Sequence, residues 1–265
     1  MFRWITDLTL LFMIFFTLFS RVTSATAQPT EIGRNIRSFR IDPMGYCYFQ
    51  KGDDIIKLNR DRKEMVRYSM KDLGTPTSFD VNNPLRVLIF YSEFAVVRVL
   101  DNNLISQSEI QLRPLGILQP KVLAGSPDQG IWIYDDISGT LSKVNTLLGK
   151  TAVSVDLSQL LGKRPNPVSL LAGNDWVVML NQFEIIVFDQ FGTKIKSIQL
   201  QAPPSLFQLN ENQLKYNQGD QLITEDLRLK TLKTEDFPCN SKAESVSLSN
   251  GRCWWLESQV LYEGQ

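Results

Sequence analysis

The chain has 265 residues, with 28 basic and 28 acidic side chains, 43% hydrophobic residues and no histidine. Such a composition suits a packed globular protein and argues against intrinsic disorder. Without histidine, Ser-His-Asp and Cys-His triads, His-ligated zinc, proximal-His haem and imidazole proton shuttles are all excluded. The formal net charge is zero and there is no long basic run, so the electrostatic footprint of a nucleic-acid binder is missing.

Residues 1–27 carry Arg3 near the start, an apolar stretch from Leu8 to Phe19, and the small residues Ser24-Ala25-Thr26-Ala27 before Gln28-Pro29. That is the layout of a secretory signal peptide with an Ala-x-Ala cleavage site. The apolar run falls short of the roughly 20 residues a membrane-spanning helix needs. The expected organisation is a signal peptide over 1–27 and one domain over 28–265, with no integral membrane span after processing. A retained anchor is the competing reading. Export then places the protein in the periplasm or outside the cell. Cys47, Cys239 and Cys253 are an odd set, so they cannot all pair with one another. One disulfide involving Cys253 is open, as is the reading of Cys47 and Cys253 as buried small hydrophobes.

From there on the chain is a series of short runs rich in Val, Ile, Phe, Tyr and Trp, cut by Gly, Pro, Asn and Asp, which is the all-β signal. One phrase recurs: alternating apolar residues, then Asn or Asp, then a turn. Its copies end at Asn59, Asp101, Asn145, Asp189 and Asp226, with a degenerate copy ending at Gly264. A bulkier strand precedes each copy, at 46–49, 87–91, 131–134, 176–180, 213–216 and 253–256. Each of these is preceded by a turn, such as Asp42-Pro43-Met44-Gly45 or Ser249-Asn250-Gly251. A fourth strand follows the phrase, as at 152–157 and 196–200. Four antiparallel strands in about 40 residues, six times over, are the mark of a β-propeller blade. The Asn or Asp suits a tight turn between third and fourth strands, where its side chain accepts backbone N–H groups.

The last unit ends without room for a fourth strand, and surplus sequence precedes Asp42. Residues around Arg34–Phe39 are therefore expected to supply the missing outer strand, which closes the ring and removes open sheet edges. On this repeat the chain resembles six-bladed β-propellers of the NHL and quinoprotein-like superfamilies, and exported propeller proteins of Gram-negative bacteria. The resemblance implies an architecture and carries no catalytic residue. The Trp-Asp signature of WD repeats is missing. Ser126-Pro127-Asp128-Gln129-Gly130-Ile131-Trp132 resembles the Asp box of sialidase propellers, with its Trp one residue early, and reads as a folding turn.

The loops between second and third strands are acidic in several blades, at Asp53-Asp54, Glu93, Asp135-Asp136 and Asp220. The inter-blade crossings share that face and carry Arg113-Pro114 and Lys163-Arg164-Pro165. The expected function is a non-catalytic module for protein binding or scaffolding in the cell envelope, able to dock onto an envelope complex. Asp53, Glu93, Arg113, Asp135, Lys163, Arg164 and Asp220 are its candidate interface residues, and no cofactor is required. One alternative is a Ca²⁺-dependent, lactonase-like hydrolase or lyase with a carboxylate-lined channel. Another is a carbohydrate-binding lectin, which would need an aromatic repeated on each blade's loop. Trp254-Trp255 and Phe90-Tyr91 read as packing between blades, because neighbouring strand residues point to opposite faces.

Overall fold

The computed structural model describes residues 28–145 and 149–264. The chain opens with β1 (Thr30–Arg34) and then builds its blades in sequence. Blade 1 is β2 (Ser38–Ile41), β3 (Cys47–Lys51), β4 (Asp54–Leu58) and β5 (Glu64–Ser69). Blade 2 is β6 (Ser78–Asp80), β7 (Val87–Tyr91), β8 (Val96–Leu100) and β9 (Ser106–Gln111). Blade 3 is β10 (Pro120–Gly125), β11 (Ile131–Asp135), β12 (Thr140–Asn145) and β13 (Gly149–Val153). Blade 4 is β14 (Ser169–Ala172), β15 (Trp176–Asn181), β16 (Glu184–Asp189) and β17 (Lys194–Gln199). Blade 5 is β18 (Phe207–Asn210), β19 (Gln213–Gln218), β20 (Gln221–Asp226) and β21 (Thr231–Asp236). Blade 6 is β22 (Ser245–Ser249), β23 (Arg252–Glu257) and β24 (Val260–Gly264), with β1 as its outer strand. All six sheets are four-stranded, and every pairing within them is antiparallel.

Packing is entirely between blades. Because side chains alternate along a strand, each middle strand feeds two cores. Phe90 packs into the core shared by blades 2 and 3, and its neighbour Tyr91 into the core shared by blades 1 and 2. Likewise Trp254 faces blade 1, and Trp255 faces blade 5 while stacking on Tyr262 at 5.6 Å. The core between blades 5 and 6 is the thinnest, built on Leu206, Leu222, Ala243 and Val246. It is reinforced by a disulfide between Cys239 and Cys253 and by a bridge between Leu206 and Val246. Cys47 is a buried free thiol in the blade 6–blade 1 core, where desolvation pushes its pKa up.

The recurring Asn or Asp does what its position suggests. Asn59, Asp101 and Asp189 each accept two backbone N–H groups through one side-chain oxygen, from residues two and four further on, at 2.8–2.9 Å. The backbone closes the same loop, and the fourth residue of each turn is left-handed: Arg62, Leu104 and Gly192. Asp42 builds an identical turn between β2 and β3, with Gly45 in the left-handed position. The Asp-box-like segment is another such turn. Ser126 N–H reaches Gly130 O at 2.9 Å, Asp128 pairs with Lys143, and Trp132 is buried.

Two expectations shift. The closing strand is Thr30–Arg34 rather than Arg34–Phe39. Phe39 and Ile41 alternate with Ser38 and Arg40, and blade 1 needs that stretch as its inner strand. Asn35 turns the chain between the two in a left-handed conformation, and buried Ile36 anchors the turn. In blade 3 the outer strand is Gly149–Val153 rather than 152–157. Asp156 instead caps a short helix, α1 (Leu157–Leu161), by accepting the Ser158 N–H. The expected signal peptide, 1–27, lies outside the described residues, and no helix among those described is long and apolar enough to cross a membrane.

The seam is held by charge as well as strand pairing. Arg62 of blade 1 bonds both carboxylate oxygens of Glu263 on β24 and lies over the Trp254 ring at 4.9 Å, and Arg252 adds a contact of 2.7 Å. Burial alone would raise the Glu263 pKa, but the two guanidinium groups overcome it and hold it below 4.5. A depressed carboxylate stabilises the fold above its unfolded pKa, and the contribution fades as pH falls through the folded value. Glu263→Gln is therefore expected to cost about 2 kcal/mol at neutral pH, between the surface and buried limits for ion pairs. It should also remove part of the stability loss seen below pH 4.5, which denaturant melts of both proteins across pH would reveal.

Candidate functional site

One face of the ring gathers the hairpins between second and third strands together with the blade-to-blade crossings. Hydrogen bonds join them directly. Asp135, at the end of β11, accepts the Gln119 N–H at 2.6 Å and the Ser138 N–H at 3.0 Å. Asn217 accepts the Leu206 N–H at 2.8 Å, Asn181 accepts from Asn166, and Gln50 donates to Pro76 O at 2.9 Å. A polar residue at the end of the second strand thus grips a crossing that leads into an inner strand, its own blade's for Asp135, Asn181 and Asn217 and the next blade's for Gln50.

This bonding fixes where the sequence-derived candidates lie. Glu93, Arg113, Asp135, Lys163 and Arg164 fall together over blades 2–4. Arg113 donates to Glu93 O at 3.0 Å, Arg164 pairs with Asp136 at 3.4 Å, and Lys163 pairs with Glu184 at 3.3 Å. Asp135 is buried, and its carboxylate is a brace under the surface. Asp53 and Asp220 belong to blades 1 and 5, on the other half of the face, where each accepts a hydroxyl from its neighbouring crossing, Thr75 and Ser241.

The hairpin tips divide the face in two. In blades 5, 6 and 1 they read Gly219-Asp220, Ser258-Gln259 and Gly52-Asp53. In blades 2, 3 and 4 each tip raises an apolar side chain: Phe94, Ile137 and Phe183, which are 44%, 58% and 46% exposed. Leu118 and Val168, on the adjoining crossings, are exposed too. A shallow cleft of about 180 Å³ opens beside Phe183, lined in part by Lys163, Arg164, Asn166 and Glu184. On the opposite face, exposed Met44, Leu85, Phe191 and Leu229 sit singly on turns of four different blades or blade ends. The three apolar tips are not singled out by the sequence reading, which weighs these loops for charge and for an aromatic repeated on every blade.

The inner strands carry a second polar set. Asp80 of blade 2 accepts the Gly125 N–H of blade 3 at 3.2 Å, and Gln208 of blade 5 accepts the Leu248 N–H of blade 6 at 3.0 Å. Both reach across to the inner strand of the next blade. Gly125 has no room for more: a β-carbon there would sit 3.2 Å from an Asp80 carboxylate oxygen. Desolvation raises the Asp80 pKa against the pull of the Asn82 and Gly125 N–H groups. Arg40 keeps access to solvent, as expected of a side chain on an inner strand facing the axis. Asp80 is the sole carboxylate on the six inner strands. Among the described residues no three His, Cys, Asp or Glu side chains gather where they could hold a metal ion.

Asp135→Ala would remove the charged acceptor of two part-buried N–H bonds, so a loss of about 1–3 kcal/mol is expected. Faster amide exchange at Gln119 and Ser138 should accompany the lower melting point.

No protein-family model and no curated protein sequence matches the chain. Solved structures do. The virginiamycin B lyase of Staphylococcus aureus superposes with a TM-score of 0.58 at 10% identity, over 87% of this chain and 80% of that one. A streptogramin B lyase gives 0.61 at 13% identity, over 89% and 86%. The extracellular domain of a one-component system from B. thetaiotaomicron gives 0.57 at 11% identity, over 87% of this chain and 33% of that one. A histidine-to-alanine form of the S. aureus lyase, solved with quinupristin, is catalytically inactive. At these identities the likeness concerns the fold alone, and it agrees with the six-bladed β-propeller described above.

Proposed function

We propose that the chain is an exported, non-catalytic propeller that serves as a protein-binding or scaffolding module of the cell envelope, with blades 2–4 as its working face. The observation that carries this reading is the division of that face. Apolar tips cluster on three consecutive blades and are replaced by Gly, Asp, Ser and Gln on the other three. A contiguous apolar patch rimmed by polar groups is how soluble proteins meet partners. Export is supported by the layout of residues 1–27 and by the Cys239–Cys253 disulfide, since such bonds persist in oxidising compartments. The likeness to an extracellular sensor domain agrees with it.

A Ca²⁺-dependent hydrolase or lyase is the competing proposal, favoured by the lyases among the structural neighbours. Two features weigh against it. The S. aureus lyase is inactive when a histidine is replaced, and this chain has no histidine. The lone inner-strand carboxylate, Asp80, is already committed to the Asn82 and Gly125 N–H groups.

Photo-crosslinking in the native envelope separates the two readings. A crosslinker at Ile137 or Phe183 is expected to trap a protein partner, and one at Asp220 or Ser258 is not. Ile137→Asp with Phe183→Asp should abolish capture while the melting point stays within about 1 °C, because exposed substitutions cost little. Equal capture from both halves, or a Ca²⁺-induced rise in melting temperature, would favour abandoning it.

A further inference from the structure

Resting on the reading of blades 2–4 as a protein-binding face, we propose that the segment bound there is acidic, carrying carboxylates beside apolar side chains. Lys163 and Arg164 would receive the carboxylates, and Ile137 and Phe183 would receive the apolar groups. The argument is the vertical ordering of charge on this sector. Cations stand outward and anions lie beneath them: Lys163 is 61% exposed while its partner Glu184 is 8%. Arg164 is likewise far more open than Asp136, and Asp135 is buried altogether.

Two further cations here are bonded to neutral oxygens. Arg113 donates to the Glu93 carbonyl, and Lys121 donates to the Asn166 side-chain amide. Glu93 is an exposed acid in this sector, and the exposed acids at its edge, Asp72 and Glu109, both pair with Arg98. A partner therefore meets positive charge and apolar tips together, a surface complementary to carboxylates flanked by Leu or Phe. The crossing that bears Lys163 and Arg164 is also stiffened by Pro165 and Pro167, both buried, so little ordering is needed on binding. The cleft beside Phe183 is lined both by the two cations and by the ring.

A random peptide library displayed on phage tests this against the full chain, with retained peptides then synthesised and measured by fluorescence anisotropy. The retained sequences are expected to be rich in Asp or Glu next to Phe or Leu and to elute with salt. The double variant Lys163→Glu, Arg164→Glu should weaken their binding about tenfold or more, while Lys163→Arg with Arg164→Lys retains it. Thermal melts of each variant check that the fold is intact. Basic or uncharged peptides, or acidic ones that bind the Glu variant equally well, would overturn the proposal. A library that retains nothing beyond what the Ile137→Asp, Phe183→Asp variant also retains would overturn the protein-binding reading itself, and this proposal with it.

Discussion

A blade of four strands has two apolar faces and no way to cover either, so this fold exists only as a closed ring. Each of its six hydrophobic cores belongs to two neighbouring blades. Five arise between blades that follow one another in sequence. The sixth, built on Phe39, Phe49, Ile56, Trp254 and Leu256, requires the end of the chain to meet its beginning. β1 makes that meeting possible by completing blade 6 from the other terminus, and Ile32 and Ile36 carry the apolar packing across the seam. Arg62 and Glu263 then fasten blade 1 to blade 6 from the side. The thin core between blades 5 and 6 sits next to this seam, and there a disulfide and the Gln208 side chain take over work that apolar packing does elsewhere.

Polar residues in this ring mostly give direction to the backbone. Asn and Asp shape the turns on one face, and Gln50, Asp135, Asn181 and Asn217 hold the crossings on the other. Lys57 is an extreme case. It is buried between blades 1 and 2, reaches Asn102 O at 2.8 Å and lies 4.6 Å from the Tyr46 ring, with burial pulling its pKa down. Over blades 2–4 Asp135 is drawn inward to hold its crossing, and Lys163 and Arg164 stand further out than the acids they pair with. The proposed surface is thus a by-product of how the hairpins are braced, combined with apolar residues at three tips that the bracing does not require.

The architecture was legible because strand alternation and turn chemistry are local. A four-strand phrase with Asn or Asp at its corner repeats at a nearly constant spacing, and the same turn forms at Asn59, Asp101 and Asp189. Closure by the amino terminus was legible from the missing last strand, but its register was not. Both Thr30–Arg34 and Ser38–Ile41 read as strands, and only the pairing of Phe39 with Phe49 decides which is inner. The links from Asp80 to Gly125 and from Gln208 to Leu248 join residues about 40 positions apart, so no local spacing encodes them. The apolar tips could have been found by aligning the six hairpins on their flanking strands. Ile137 and Phe183 then stand second in their hairpins, where Asp53 and Asp220 do, and Phe94 one residue further on.

Hydrogen exchange followed by mass spectrometry tests ring closure most directly. If β1 is the outer strand of blade 6, amides in 30–34 exchange slowly, in step with those of 260–264, and both segments open together in Glu263→Gln. Exchange over 30–34 at the rate of an unstructured chain, with 260–264 still protected, would contradict the account.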